Sequence, residues 1–523
     1  MQNEWWRGAV IYQVYPRSFK DSNDDGIGDI KGITEKLPYL KSLGIQAIWV
    51  SPFFKSPMKD FGYDISDYRE IDPMFGNMAD FDELISKAHA SNIKIIIDQV
   101  FSHTSDQHEW FKESRASKDN AKADWYVWAD AKDDGTPPNN WLSIFGGVAW
   151  QWDSTRCQYY LHNFLSEQPD LNFHNEDVQK EVLANVKFWL DKGVDGFRLD
   201  AFNFCFHDKQ LRDNPPKPLE ARTGRGYAPD NPYAFQYHYF NNTQPEMLPF
   251  IEQLRKLFDQ YENITTLAEL NSEDSLGTMA EYSGPTRLHM SYSFELAADE
   301  YSAEHIRNTV EEFEKRVTDG YPCWAFSNHD VARVMTRWIG ADAPASAAKM
   351  LNTLLLSLRG SVCVFQGQEL GLQEAEVAFE DLQDPFGIAF WPKFKGRDGC
   401  RTPMPWSYTR NGAFTSQHMK PWLPVYEPHL MQSVESQEAI ADSVLNHFRT
   451  FMAWRATVPA LSLGSIEMIH GLKEPILAFW RRHSSGDVLC VFNLRGNVEN
   501  VHVEGQDLTL EPYGYLVEGG TSD

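Results

Sequence analysis

Four short stretches of the chain end apolar runs on ionisable side chains. GFRLDAF (196–202) sets Arg198 and Asp200 two residues apart, so an extended chain aims both at one face. TTLAEL (265–270) carries Glu269 near its end, FSNHD (326–330) ends on His329 and Asp330, and DQVFSH (98–103) carries Asp98 and His103. A lone acid of this kind reads as a cap or a surface residue, although a strand interior disfavours Asp. Acids, histidines and an arginine at the ends of several strands read together as one site. Paired carboxylates at a common mouth suit cleavage of a glycosidic bond, which needs one acid ionised and one protonated at neutral pH. Arg198, on the same face as Asp200, is expected to stabilise its anion and lower its pKa, which makes Asp200 the nucleophile. Glu269 has Leu267, Ala268 and Leu270 as neighbours. That apolar setting is expected to hold it protonated as the general acid, which then acts as base on water. Asp330 and His329 are placed to clamp sugar hydroxyls.

Positioning these groups requires parallel strands. Eight apolar or β-branched runs occur at 9–16, 45–52, 94–101, 196–202, 265–270, 288–294, 323–330 and 361–370. Near-continuous apolar runs suit strands buried on both faces. Helical patterns lie between several of them: GITEKLPYLKSLG, ADFDELISKAHASN and VQKEVLANVKFWLDKG, each stopping at Gly or Asn. The pattern predicts an α/β fold, a (β/α)₈ TIM barrel. The barrel is assigned to 1–102 and 173–457. Far more residues than one helix needs separate the third and fourth strands, so an inserted domain is expected at 103–172. Pro-rich excursions follow at 213–234 and 371–425, at the face where such barrels keep their sites. From 458 to 523, short strands such as PILAFWRR and VLCVFNLR predict a C-terminal antiparallel β domain.

Composition narrows the ligand. The net charge of −26, from 48 basic and 74 acidic residues, disfavours a nucleic-acid or anionic-membrane partner. It is compatible with a neutral oligosaccharide. No apolar run approaches a membrane span. MQNEWWRGAVIYQVYP lacks the pattern of a secretory signal, and the six cysteines are scattered without a CxxC pair. A cytoplasmic location with reduced thiols is expected. The oligomeric state is left open.

The loop DSNDDGIGD presents Asp21, Asn23, Asp25 and Asp29 at positions 1, 3, 5 and 9, with the Ile27 carbonyl at 7 and Gly26 at 6. Oxygens at odd positions around a glycine turn wrap a hard cation. Gly32 stands where an EF-hand has its final Glu. HExxH, GxSxG and Walker-type motifs are absent, and GIGDIKG has the wrong spacing for a dinucleotide loop. No organic cofactor is expected.

With these motifs in order, the chain resembles glycoside hydrolase family 13, the α-amylase family, through GFRLDAF, DQVFSHTS and FSNHD. WWRGAVIYQVYPRSFKDSNDDGIGDIKGI, FGYDISDY and GRDGCRTPMPW resemble its α-glucosidase and oligo-1,6-glucosidase branch. The resemblance covers about 1–520. It implies Asp200 as nucleophile, Glu269 as acid/base and Asp330 as transition-state stabiliser, with Tyr63, His103, Arg198 and His329 around the non-reducing glucose. It implies that Asp60 and Arg397 close the pocket of an exo-acting enzyme, with Arg401 a near neighbour. Phe145 and Phe164 are candidates for apolar sugar platforms, with plain packing as the alternative. The resemblance also supports a structural Ca²⁺ or Mg²⁺ in the acidic loop. In this branch Val after the nucleophile accompanies α-1,6 cleavage, and Ala or Thr accompanies α-1,4. Ala201 therefore points to an α-1,4 α-glucosidase that can also transfer glucose. Oligo-1,6-glucosidase is the runner-up, and a catalytically inert binding homologue is the alternative of another class.

Overall fold

The computed structural model describes residues 4–222, 227, 230–292 and 294–520. Eight parallel strands close into a barrel: Val10–Val14, Ala47–Val50, Lys94–Val100, Gly196–Asp200, Thr265–Glu269, Met290–Tyr292, Tyr321–Ala325 and Ser361–Phe365. Each pairs with its sequence neighbours, and the first pairs with the eighth. All eight apolar runs of the sequence are barrel strands.

The strand's two-residue period sorts side chains between two apolar layers. Val10, Tyr12 and Val14 face outward into the core shared with the helices. Ile11 joins Ala47, Trp49, Ile96, Leu267, Met290 and Cys363 inside the barrel. On the fourth strand the inward positions are Arg198 and Asp200. Arg198 lies in register with Asp98 of the third strand and Leu267 of the fifth. Alternation therefore delivers ionisable groups to the barrel's upper end, above an apolar plug.

The expected helix stops hold. Asn92 and Gly193 take positive φ angles of 58° and 91° after the helices Met78–Ala90 and Glu176–Asp191. The segment GITEKLPYLKSLG differs from the single helix expected. It is two helices, Ile30–Glu35 and Leu37–Ser42, meeting at Lys36. Pro38, at the start of the second, lacks the N–H that would have continued the first.

Between the third and fourth strands lies a helix, Glu109–Ala116, and a small antiparallel sheet of Trp128–Ala129, Gln158–Leu161 and Trp150–Asp153. Its core holds Trp141 and Trp150, stacked 5.9 Å apart. The C-terminal region forms a four-stranded antiparallel sheet, Ser465–Met468, Ile476–Arg482, Val488–Asn493 and Tyr515–Gly519. A two-stranded ribbon, Glu499–Val503 with Gln506–Leu510, accompanies it. Part of the 213–234 excursion lies outside the described residues. Among the described residues no helix is long and apolar enough to cross a membrane.

Candidate active site

The mouth of the barrel opens into a cavity of about 100 Å³. Asp200, Glu269, Asp330, Asp60, Tyr63, His103, Phe145, Phe164, Ala201 and Arg397 all line it. Arg198 and His329 stand behind this wall, fully buried.

One arginine organises the first cluster. Arg198 Nη1 pairs with Asp200 and with Asp98, the latter at 2.9 Å. Its Nη2 pairs with Glu269 and donates to the Tyr292 hydroxyl at 3.0 Å. Tyr292 in turn donates to Glu269 at 3.3 Å, and the Ala201 amide approaches the same carboxylate at 3.3 Å. Asp98 is further held by Trp49 Nε1 and the Tyr63 hydroxyl. A single guanidinium thus faces three buried carboxylates.

Burial is the dominant influence on those acids. It pushes Glu269 up to about 8 and Asp200 up to about 7, and the charge of Arg198 only partly opposes it. Burial likewise raises Asp98 to about 6. The expectation for Glu269 holds in direction. The expectation for Asp200 is corrected: Arg198 does pull its pKa down, but burial together with the charges of Asp98 and Asp330 outweighs it. Sequence spacing shows the nearest cation and not how many acids share it.

The second cluster lies across the cavity. Arg397 Nη2 donates to Asp60 and to Asp384, each at 2.8 Å, and Nη1 reaches Asp330 at 3.2 Å. Arg401 donates to Asp330 at 2.9 Å and to the His329 carbonyl at 2.7 Å. Burial opposes ionisation of Asp330, yet the charges of Arg397 and Arg401, both of which reach it, hold it well below the usual carboxylate range. Asp384 is also lowered, because the charge of Arg397 overcomes its burial. Asp60 stays raised, since burial there exceeds what Arg397 restores. The suspected Asp60–Arg397 pair is formed, and Arg401 stands beside it as a separate member.

Two histidines link the clusters in neutral form. His329 touches the Tyr63 hydroxyl at 2.5 Å and Gln13 at 2.7 Å, and burial keeps its pKa well down. His103, lowered to about 4 by burial, contacts the Tyr63 carbonyl and Gln168 at 3.1 Å each. Phe164 packs 5.1 Å from His103 and 6.5 Å from Phe145, while Arg397 lies over the Phe145 ring at 5.4 Å. Both phenylalanines present apolar wall to the cavity.

Ala201 is the first residue beyond the fourth strand, with φ 38° and ψ 45°. This left-handed turn brings a residue that alternation would aim outward into the cavity wall.

Asp384, Gln168 and Tyr292 were not singled out in the sequence. Tyr292 ends the sixth strand, so the strand-end rule that found Glu269 could have found it. Asp384 and Gln168 sit in irregular excursions, where no periodicity marks a direction.

In the acidic loop, Asp21 accepts from the amides of Asn23, Asp24 and Gly26, Asp25 from that of Ile27, and Asp29 from Ser22 and Gly32. Its oxygen-only donor set suits a hard cation. Among the described residues, no three acidic, His or Cys side chains converge as a metal-holding group.

Fold and site define a barrel enzyme whose mouth gathers buried carboxylates on one cavity. The family model of the α-amylase catalytic domain matches residues 13–464. A probable alpha-glucosidase of Rhizobium meliloti (strain 1021) is 52% identical over 520 residues, which are 98% of this chain and 94% of that protein. An oligo-1,6-glucosidase of Heyndrickxia coagulans is 38% identical, covering 94% of this chain and 93% of its own. The crystal structure of an alpha-glucosyl transfer enzyme, XgtA, superposes with a TM-score of 0.97 at 59% identity, covering 99% of this chain and all of that one. The chain belongs to the α-amylase family of glycoside hydrolases.

Proposed function

We propose that this enzyme is a retaining, exo-acting α-glucosidase that releases terminal α-1,4-linked glucose from short oligosaccharides and can pass that glucose to other acceptors. The observation that carries this reading is the sharing of Arg198 by Asp200 and Glu269. Two carboxylates on the terminal nitrogens of one guanidinium suit the close separation of retaining enzymes, roughly 5–5.5 Å, better than the wider gap that admits a water between them.

In this mechanism, Asp200 attacks C1 of the terminal glucose as Glu269 gives its proton to the departing oxygen. A covalent glucosyl ester forms. Glu269, now a carboxylate, takes a proton from water; the water oxygen bonds to C1 and the ester to Asp200 breaks. Asp330, kept ionised by its arginines, stabilises positive charge on the ring in both transition states. The Asp60–Arg397 pair ends the pocket and limits it to a terminal sugar. Tyr63, His103 and His329 orient glucose hydroxyls, and Phe145 and Phe164 offer apolar faces.

The name of the H. coagulans relative supports α-1,6 cleavage as a second reading. The small Ala201 side chain in the cavity wall favours α-1,4. The XgtA name supports glucosyl transfer. Six free cysteines support a reducing, cytoplasmic setting. Asp21, Asn23, Asp25, the Ile27 carbonyl and Asp29 would hold a structural Ca²⁺ or Mg²⁺, away from the chemistry. A panel of maltose, isomaltose, sucrose and trehalose, with the first-formed anomer followed by NMR, tests the whole reading. Release of α-glucose, fastest from maltose, is expected. Release of the β-anomer removes the retaining mechanism, and no release from any α-glucoside leaves an inert binding homologue.

A further inference from the structure

The first barrel strand, Val10–Val14, reads VIYQV, and alternation puts Gln13 on the inward face with Ile11. Gln13 is fully buried. Its side-chain nitrogen lies 2.7 Å from His329 Nδ1 and donates to Ser51 Oγ at 3.1 Å. Its oxygen Oε1 is buried without a hydrogen-bond partner. An unpaired buried acceptor is costly, so this orientation needs a reason.

The two ends of an amide have the same shape, and the neighbours decide which end meets Nδ1. Across the ring, His329 Nε2 stands 3.2 Å from Asp330 Oδ2. Arg397 and Arg401 both reach Asp330, so it is a carboxylate and only accepts. A bare Nε2 would turn its lone pair on that anion, so Nε2 carries the proton. Burial, helped by Arg401, Arg198 and Arg397 and opposed by Asp330, keeps the ring neutral. Nδ1 is therefore bare and accepts, and only the NH₂ end of Gln13 can serve it. The imidazole is held in this setting by Tyr63, near-parallel at 5.3 Å, Tyr15 at 5.7 Å and Trp49 edge-on at 6.0 Å.

The proton direction then propagates. The Tyr63 hydroxyl, 2.5 Å from His329 Nε2, accepts there and sends its own hydrogen to Asp98, 3.1 Å away. In the opposite tautomer the hydroxyl would donate to Nε2. Asp98 would lose a donor, and Asp330 would face a lone pair. One amide thus sets donor directions in both carboxylate clusters.

We propose that Gln13 is a positioning residue whose amide holds His329 as the Nε2–H tautomer, so that the ring offers a donor at the glucose site and Tyr63 directs its proton to Asp98. Gln13 touches no reacting atom. The functional part of this inference rests on the α-glucosidase reading.

The test labels the histidines of the full chain with ¹⁵N and assigns His329 by the resonances lost in His329→Asn. At neutral pH, wild type is expected to show a protonated Nε2 and a bare Nδ1. A proton on Nδ1, alone or with Nε2, overturns the proposal. Gln13→Met removes the donor at similar length and should move the ring toward a mixture of tautomers. Gln13→Glu puts an acceptor at Nδ1 and should bring the proton there. kcat/KM on maltose should fall about tenfold in Gln13→Met and further in Gln13→Glu, the scale of losing a partner that orients a metal-ligating histidine. Folded variants that keep the wild-type ring signature leave Gln13 as packing, whatever their activity, and overturn the proposal. A changed signature with unchanged kcat/KM overturns its functional part. If Gln13→Glu does not fold, the wild-type signature and Gln13→Met still decide. The ring signature is read without turnover, so it stands or falls apart from the α-glucosidase reading, which fails instead if wild type hydrolyses no α-glucoside.

Discussion

Two arginine–carboxylate clusters face each other across the cavity, and they differ in charge balance. Around Arg198, one cation serves Asp98, Asp200 and Glu269. Around Arg397 and Arg401, two cations serve Asp60, Asp330 and Asp384. In the first cluster burial raises all three acids into the range where protons move near neutral pH. In the second, Asp330 and Asp384 are held ionised despite burial, and only Asp60 departs from that pattern. The same residue types therefore stand in two electrostatic environments. In the proposed mechanism the cation-poor cluster stores and exchanges a proton, and the cation-rich one supplies fixed charge for binding and transition-state stabilisation.

Removing one charge from each cluster should separate these tasks most clearly. Asp200→Asn is expected to lower kcat by about 10⁴-fold or more while keeping the fold, since it removes the nucleophile with little change of volume. Near-wild-type turnover by a clean preparation ends the assignment. Arg397→Ala, which unpairs Asp60 and Asp384, is expected to lower kcat/KM by about 10²-fold or more. Its pH profile should keep both limbs within about one unit of wild type, because the other cluster sets them. A profile displaced further would merge the clusters into one titrating network.

The proton-storing cluster also makes signed predictions with pH. In the proposed mechanism turnover needs Asp200 ionised and Glu269 protonated, so activity should fall about tenfold per unit below about 7 and above about 8. Stability moves in one direction only. The folded pKa of Glu269 lies above its unfolded value, so its contribution is full at acidic pH and is lost as pH rises through about 8. Glu269→Gln should therefore gain thermal stability relative to wild type at pH 9 compared with pH 5. The melting-temperature difference between the two proteins at the two pH values measures this, and equal differences at both refute it.

Much of this arrangement was legible in the sequence, for a physical reason. Strand alternation converts residue number into direction, so Arg198, Asp200, Glu269 and the end of the seventh strand could be placed on one mouth. Eight apolar runs sufficed for the barrel because both faces of each strand are buried. The limit was stoichiometry. That Arg198 answers to three acids depends on neighbouring strands in register, which the fourth strand's own sequence does not carry. Asp384 and Gln168 escaped because irregular loops have no period to read, and the Lys36 break escaped because a helical pattern outweighed Pro38.

Ala201, in the cavity wall beside Asp200, offers a finer test of the proposed linkage. Ala201→Val should lower kcat/KM on maltose relative to isomaltose by about 1–3 kcal/mol, the scale of one or two methyl groups in a pocket. The positive φ of 38° also disfavours a β-branched side chain. That strain affects both substrates equally, so the ratio isolates the steric part. An unchanged ratio, or a wild type that prefers isomaltose, removes the basis for α-1,4 over α-1,6.

The smallest effect belongs to a third gathering of acids, the limiting case of the comparison. Asp21, Asp25 and Asp29 are satisfied largely by amides of their own loop and, for Asp29, by that of Gly32 in the helix that follows. The balancing role that arginines fill in the cavity falls here to the proposed hard cation. A metal bound only by the folded chain stabilises it by RT ln(1 + [L]/Kd), about 2.7 kcal/mol at a hundredfold excess over Kd. Thermal shifts shrink with chain length, reaching about 2–4 °C per kcal/mol near 250 residues. For this chain, roughly 3–5 °C is expected between Ca²⁺-loaded and chelated protein, reversed by adding Ca²⁺ back. Asp21→Asn should weaken that response, because it removes a full charge and leaves one acceptor oxygen where Asp21 uses two, Oδ1 for the Asn23 and Asp24 amides and Oδ2 for that of Gly26. The pH limbs set by Asp200 and Glu269 should be the same with and without chelator. A melting temperature indifferent to chelation removes the cation from this loop, and a chelator that shifts the pH limbs places it in the chemistry instead.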